Sequence, residues 1–143
     1  MDIKQALAQL QEGKPIVVND KTFVPEDIEE IKLDTGELVY WVRDGESLWL
    51  AVDPSSEEVI LFNDVEADID SSQETVFYNN ADHELSSEGS GVISDEGEEV
   101  DRVDFLDYES DGGEILRVIS YEVTGDSIAS VGRVVPEEEL QEA

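Results

Sequence analysis

Apolar and polar positions alternate with a period of two through most of the chain, and the clearest instance is Leu38 to Val52, LVYWVRDGESLWLAV. Two apolar runs flank a charged, glycine-bearing break, which is the pattern of a β-hairpin. Leu38, Tyr40 and Val42 fall on one side of the first strand, with Val39, Trp41 and Arg43 on the other; Leu48, Leu50 and Val52 alternate likewise against Trp49 and Ala51. A loop of odd length centred on Gly45 sets Trp41 opposite Trp49. It also gathers Leu38, Tyr40, Val42, Leu48, Leu50 and Val52 on one uninterrupted apolar face, whereas a loop centred between Asp44 and Gly45 mixes the two sets. The odd loop is therefore the expected register. The second face carries two indoles, and the weight of large aromatics in small cores assigns them to the interior. Were they exposed, Trp41 and Trp49 would be the candidate interaction surface.

The same pattern orders the rest of the chain. Asp2 is placed to cap a short amphipathic helix over Ile3 to Gln11, with Gly13 and Pro15 as stop signals. PIVVNDKTFV reads as a hairpin turning at Asn19-Asp20, and Pro25 ends it. Ile28 and Ile31 stand at helical spacing, so Pro25 to Lys32 is ambiguous. From Ile31 the run reads as a strand turning at Asp34-Thr35-Gly36. Asp53-Pro54-Ser55-Ser56 is turn chemistry before the strand EEVILF, and Thr75 to Tyr78 reads as another strand. Ser86 to Ser90 reads as a mobile acidic Ser/Gly loop, Gly91 to Ser94 as a short strand and Asp95-Glu96-Gly97 as a turn. Strands then follow over Val100 to Tyr108, Glu114 to Val123 and Ser127 to Val135, and EEELQEA closes the chain as a charged turn or short helix. Laid over one another, DGESLWLAV (Asp44 to Val52) and DGGEILRVI (Asp111 to Ile119) align a turn and an apolar strand, which suggests two similar β units.

Composition changes the picture in three ways. With 143 residues and no cysteine, the chain is most simply one domain with a real core, and disulfides, zinc-thiolate sites and cysteine nucleophiles are excluded. No secretory h-region or membrane-length apolar run is present, so the expected compartment is the cytoplasm, without membrane insertion. The formal charge of -30, from 38 acidic against 8 basic residues, opposes DNA, RNA and anionic lipid as direct ligands. It leaves a highly soluble surface, salt adaptation, or a carboxylate array that mimics nucleic acid before a DNA-binding partner.

Candidate chemistry is sparse. Asp64, Glu66, Asp68 and Asp70 alternate like a calcium loop, but the segment lacks the central glycine and its twelfth residue is Thr75 rather than glutamate. A strand with one solvated acidic face is the favoured reading, with weak divalent-cation or polyamine association as the alternative. His83, the only histidine, stands among Asn80, Asp82 and Glu84 without a second His or Cys, and reads as a solvated loop residue. No cofactor motif is present.

Several features together resemble the bacterial and archaeal family catalogued as Domain of Unknown Function 4178. They are the Trp49-Leu50 strand, the Asp107-Tyr108 pair before the second turn, the apolar strand after Gly113, and Gly132 followed by Val134-Val135. The similarity spans most of Gly36 to Leu140, although this chain is far more acidic than many relatives. The resemblance implies an all-β module of unassigned biochemistry. The family's genes lie near those of phage-shock-like proteins, small membrane proteins and spermidine-synthase-like enzymes, which implies an accessory or adaptor role in membrane stress, with protein partners.

The expectation is thus an all-β, mainly antiparallel single domain spanning residues 1–143, with one short N-terminal helix. It would be built as two packed sheets or two fused small barrels from similar halves, 14–78 and 91–135, joined by the acidic Ser/Gly-rich loop. The expected role is a non-enzymatic interaction module, with an acidic DNA mimic, a salt-adapted domain without functional acidity, and a polyamine or divalent-cation binder as alternatives.

Overall fold

A computed structural model describes all residues, 1–143, and it is an antiparallel all-β domain with one short helix. The helix, α1 (Ile3–Gln11), starts where expected: Asp2 accepts a hydrogen bond from the Gln5 N–H, and the Gln5 side chain accepts one from the Asp2 N–H. Strands β1 (Ile16–Val18) and β2 (Lys21–Phe23) form the first hairpin through Asn19 and Asp20, both at positive φ (50° and 65°). The ambiguous Pro25 to Lys32 stretch resolves as β3 (Asp27–Leu33), followed by β4 (Leu38–Asp44), β5 (Leu48–Asp53), β6 (Glu58–Val65) and β7 (Thr75–Tyr78). The second half supplies β8 (Ala81–Asp95), β9 (Glu98–Glu109), β10 (Ile115–Tyr121) and β11 (Ser127–Val134). A 3-10 turn at Glu137–Glu139 leads into β12 (Leu140–Glu142).

Two four-stranded meanders, β3-β4-β5-β6 and β8-β9-β10-β11, meet edge to edge. The β6–β11 pairing joins their last strands and the β3–β8 pairing joins their first, so the halves close into one eight-stranded barrel instead of each closing on itself. The small sheet β12-β1-β2 and α1 lie outside, covering Val42, Leu50, Val52 and Val59 on the outer face of the first meander. A second outer cluster, Val76, Tyr108, Leu116, Val118 and Ala129, lies on the second meander. Its Tyr108 hydroxyl donates to the carbonyls of Ser71 and Gln73, tying the segment before β7 onto the barrel. No helix is long and apolar enough to cross a membrane.

The central hairpin keeps its expected faces but not its expected register. Its loop is Gly45-Glu46-Ser47, so Trp41 pairs with Ala51 and Trp49 with Arg43. A shift by two residues leaves every side chain on its original side, and the indoles become diagonal neighbours with ring centroids 5.4 Å apart. The segment Ser86 to Ser90, read as a mobile loop, lies inside β8. It is held by β9 from Glu84–Glu109 through Gly91–Val103, with a bulge at Ser86, because pairing with a distant strand overrides the local Ser/Gly composition. The C-terminal EEELQEA, read as a turn or short helix, ends in a strand paired with β1, which local sequence does not encode.

The repeat alignment holds at the level of elements, since β5 and β10 occupy equivalent places, but it is one residue out of phase. It lays Trp49, inside the barrel, over Leu116, outside it. Moving the correspondence by one residue puts the Trp41–Ala51 pair on the Asp107–Arg117 pair and restores the faces.

Candidate functional site

The barrel interior is filled by aromatic and branched side chains. Trp49 (1% exposed) stacks on Phe62 at 4.7 Å, Trp41 (3% exposed) meets Phe105 edge-on at 5.7 Å, and Ile31, Ile60, Ile93, Val103 and Ile119 complete the plug. Trp41 and Trp49 are therefore core and form no exposed aromatic patch, although Trp41 also walls the cavity at the barrel mouth. Gly132 makes room for this packing: a Cβ there would collide with the Leu61 carbonyl and stand 2.7 Å from the Phe62 ring.

Two arginines point into the barrel from opposite ends. At one end Arg43 donates to Asp64 at 2.9 Å, and the other Asp64 oxygen accepts from the Trp49 indole N–H (2.9 Å) and the Ser130 hydroxyl (2.7 Å). At the other end Arg117, on β10, forms a two-point pair with Asp107 on β9, at 2.7 and 2.9 Å. Its guanidinium carbon lies 4.9 Å and 4.8 Å from the Phe62 and Phe105 ring centres. Nε and Nη2 are taken by Asp107. Nη1 has no protein partner, and since no fully buried side-chain nitrogen or oxygen lacks a hydrogen bond, it keeps access to the adjoining cavity.

That cavity, about 190 Å³, is the mouth of the barrel, and Trp41, Phe105, Arg117, Asp53, Glu58 and Glu88 are among its walls. Burial pushes the Glu58 carboxyl up; Arg117 opposes the shift, while Asp53, Asp107 and Glu109 add to it. The mouth opens sideways because β8 outruns its neighbours. Strand β7 pairs with its first residues, Ala81 to Glu84, and β3 with Gly91 to Ser94, leaving no strand along Ser86 to Ser90 on that side. Outside this break runs a groove of about 650 Å³ lined by Asp34, Glu37, Glu88 and Asp104, which shares Leu33, Glu88, Gly89 and Phe105 with the cavity. The arrangement offers carboxylate acceptors on an aromatic floor, suited to holding hydrogen-bond donors and cations. Two hydroxyls in the lining donate to carboxylates, Ser90 to Asp104 at 2.5 Å and Ser87 to Asp107 at 3.5 Å.

The residues singled out in the sequence do not come together here. Asp64 is turned inward on Arg43 and Trp49, while Glu66, Asp68 and Asp70 lie past the end of β6, so the expected acidic strand face is not formed. Asp70 accepts from the Ser72 hydroxyl and N–H, bonds that hold its carboxyl below the usual range. No three His, Cys, Asp or Glu side chains converge as a metal site. His83 is a correction: it is buried (0% exposed) on β8, with Nε2 3.1 Å from Glu114, Nδ1 3.1 Å from the Ala81 carbonyl, and its ring edge-on to Tyr78. Both ring nitrogens thus face oxygen acceptors, which fixes the orientation of the ring between β8 and the Glu114 carboxylate.

Sequence reasoning missed Arg117 and Asp107 as a unit. The available signal was a lone arginine inside the apolar run Ile115-Leu116-Arg117-Val118-Ile119, where burial on both faces demands a partner for the charge. Compared with protein-family models, with curated proteins and with solved structures, the chain matches none.

Proposed function

We propose that the chain is a non-enzymatic interaction module: an acidic β-barrel acting as a cytoplasmic accessory or adaptor to a membrane-stress system through contacts with partner proteins. The observation that supports this reading is the side opening of the barrel. The interior is packed solid, and the main concave surface is a carboxylate-lined break in the wall, shaped for recognition rather than for bond making. The membrane-stress context comes from the resemblance to Domain of Unknown Function 4178. Affinity purification of the tagged chain from its native host, with and without membrane stress, tests the reading. A stoichiometric partner that stays bound at salt high enough to screen loose electrostatic contacts is the expected result. Recovery of no partner under either condition overturns it.

A further inference from the structure

Building on the interaction-module reading, we propose that the break in the barrel wall docks an extended basic segment of the partner. The segment adds a short strand along Ser86 to Ser90 and passes one lysine or arginine side chain into the mouth cavity.

The backbone argument comes first. On the open side of β8, the Leu85 N–H donates to the Glu74 carbonyl at 2.8 Å, and the Ser90 carbonyl accepts from the Asp34 N–H at 2.9 Å. Hydrogen-bonding direction alternates along a strand, so Glu88, in phase with Ser90, turns its own N–H and C=O into the break. The edge is bonded at both flanks and vacant between them, an interrupted ladder that an added strand completes. Ser86, Ser87 and Glu88 are exposed there.

Charge selects the occupant. The groove presents Asp34, Glu37, Glu88 and Asp104, and the cavity behind it adds Asp53 and Glu58. Arg117 is engaged by Asp107 and Arg102 by Asp34, so the groove's carboxylates without a cation partner are Glu37, Glu88 and Asp104. A second copy of a chain carrying -30 is repelled by such an edge, and so is any acidic segment. Gly89 bears no side chain, and the Phe105 ring lies directly against its backbone, in the space a Cβ would fill. Alternate residues of an added strand point inward at this thin part of the wall, where an ammonium or guanidinium group meets Glu58, Glu88 and the faces of Trp41 and Phe105.

The probe is a fluorescein-labelled heptapeptide alternating lysine with valine, read by anisotropy. Its controls are the same peptide N-methylated on the backbone of alternate residues, and one with glutamate for lysine. Saturable binding is expected for the lysine peptide, persisting at high salt. Binding should be severalfold weaker for the N-methylated peptide, which loses the donor to the Glu88 carbonyl, about the equivalent of one ordinary hydrogen bond. Glu88→Pro, which removes the outward N–H and leaves the β9 ladder intact, should weaken binding to a similar degree, and Glu58→Gln should weaken it severalfold. Equal binding of the parent and N-methylated peptides overturns the proposal without recourse to any variant. So does binding that fades with salt as for any polycation, or no saturation up to millimolar peptide. If the wild-type chain and Glu88→Pro recover the same partner from the host equally well, this edge is the wrong surface and the module reading stands. If neither recovers a partner, the module reading itself fails.

Discussion

The Arg117–Asp107 pair shows what a single charge does inside a barrel wall. Both side chains are buried, and their hydrogen bonds to each other replace the water each has lost. Arg117→Met therefore leaves Asp107 desolvated without its partner and is expected to cost about 3–5 kcal/mol in urea unfolding. The double change Arg117→Met with Asp107→Leu is expected to recover most of that loss; no recovery would show that the aromatic contacts of the guanidinium, and not its charge pairing, hold the wall. Trp49→Ala is expected to cost about 3–5 kcal/mol, since it empties the space between Trp41 and Phe62 and leaves Asp64 short of a donor. Ready acrylamide quenching of Trp49 in the folded protein would contradict its position in the core. The burial of Trp49 was legible because apolar residues flank it on both sides in a strand of period two. The pairing of Arg117 was not, because Asp107 becomes its neighbour only when β9 and β10 are in register.

At the scale of elements, what could be read was what is local. Turn residues with positive φ, such as Asn19-Asp20 and Glu96-Gly97, marked their hairpins, and apolar alternation marked β4, β5, β7 and β9 to β11. Two elements escaped because their cause lies far along the chain. Strand β8 is extended through a Ser/Gly stretch by β9, and β12 forms because β1 offers an edge to it. Leu140 then closes the outer core beneath α1, and the Met1 amino group donates to its carbonyl at 2.8 Å. This makes the last strand a structural clasp between the two ends of the chain. Leu140→Ala is expected to cost about 2–5 kcal/mol, whereas Gln141→Ala on the exposed face of the same strand should change stability by less than about 0.5 kcal/mol. Equal effects from the two changes would mean that β12 is not packed against α1 and β1.

For the whole molecule the governing quantity is charge, and its expected consequence is a stability that falls toward neutral pH. Glu29, on β3, points toward the barrel end held by Arg43. Burial pushes its carboxyl up first, the charge of Asp27 adds to this, Arg43 opposes it, and Asp95 and Asp101 add smaller increments. Glu58 at the opposite mouth is raised for the same leading reason. A carboxyl whose pKa is higher in the folded state binds its proton more tightly there than in the unfolded chain, so its contribution to stability is complete below the ordinary carboxylate pKa of about 4.3 and is lost as pH rises through the raised value. Repulsion among 38 acidic side chains acts in the same direction, because ionisation loads a compact surface with like charge. The two contributions separate by salt. Exposed carboxylates are screened within a Debye length of about 10 Å at 0.1 M, while a half-buried group is screened much less. Urea midpoints are therefore expected to fall between mildly acid and neutral pH, and added salt should flatten most of that slope but not all. Glu29→Gln isolates the remainder: it is expected to raise the midpoint at neutral pH, to reduce the slope that survives at high salt, and to lose its advantage below the ordinary carboxylate range, where the wild-type side chain is also neutral. A drop in the neutral-pH midpoint on Glu29→Gln would reverse the assignment, showing that Arg43 stabilises the ionised carboxylate by more than burial penalises it.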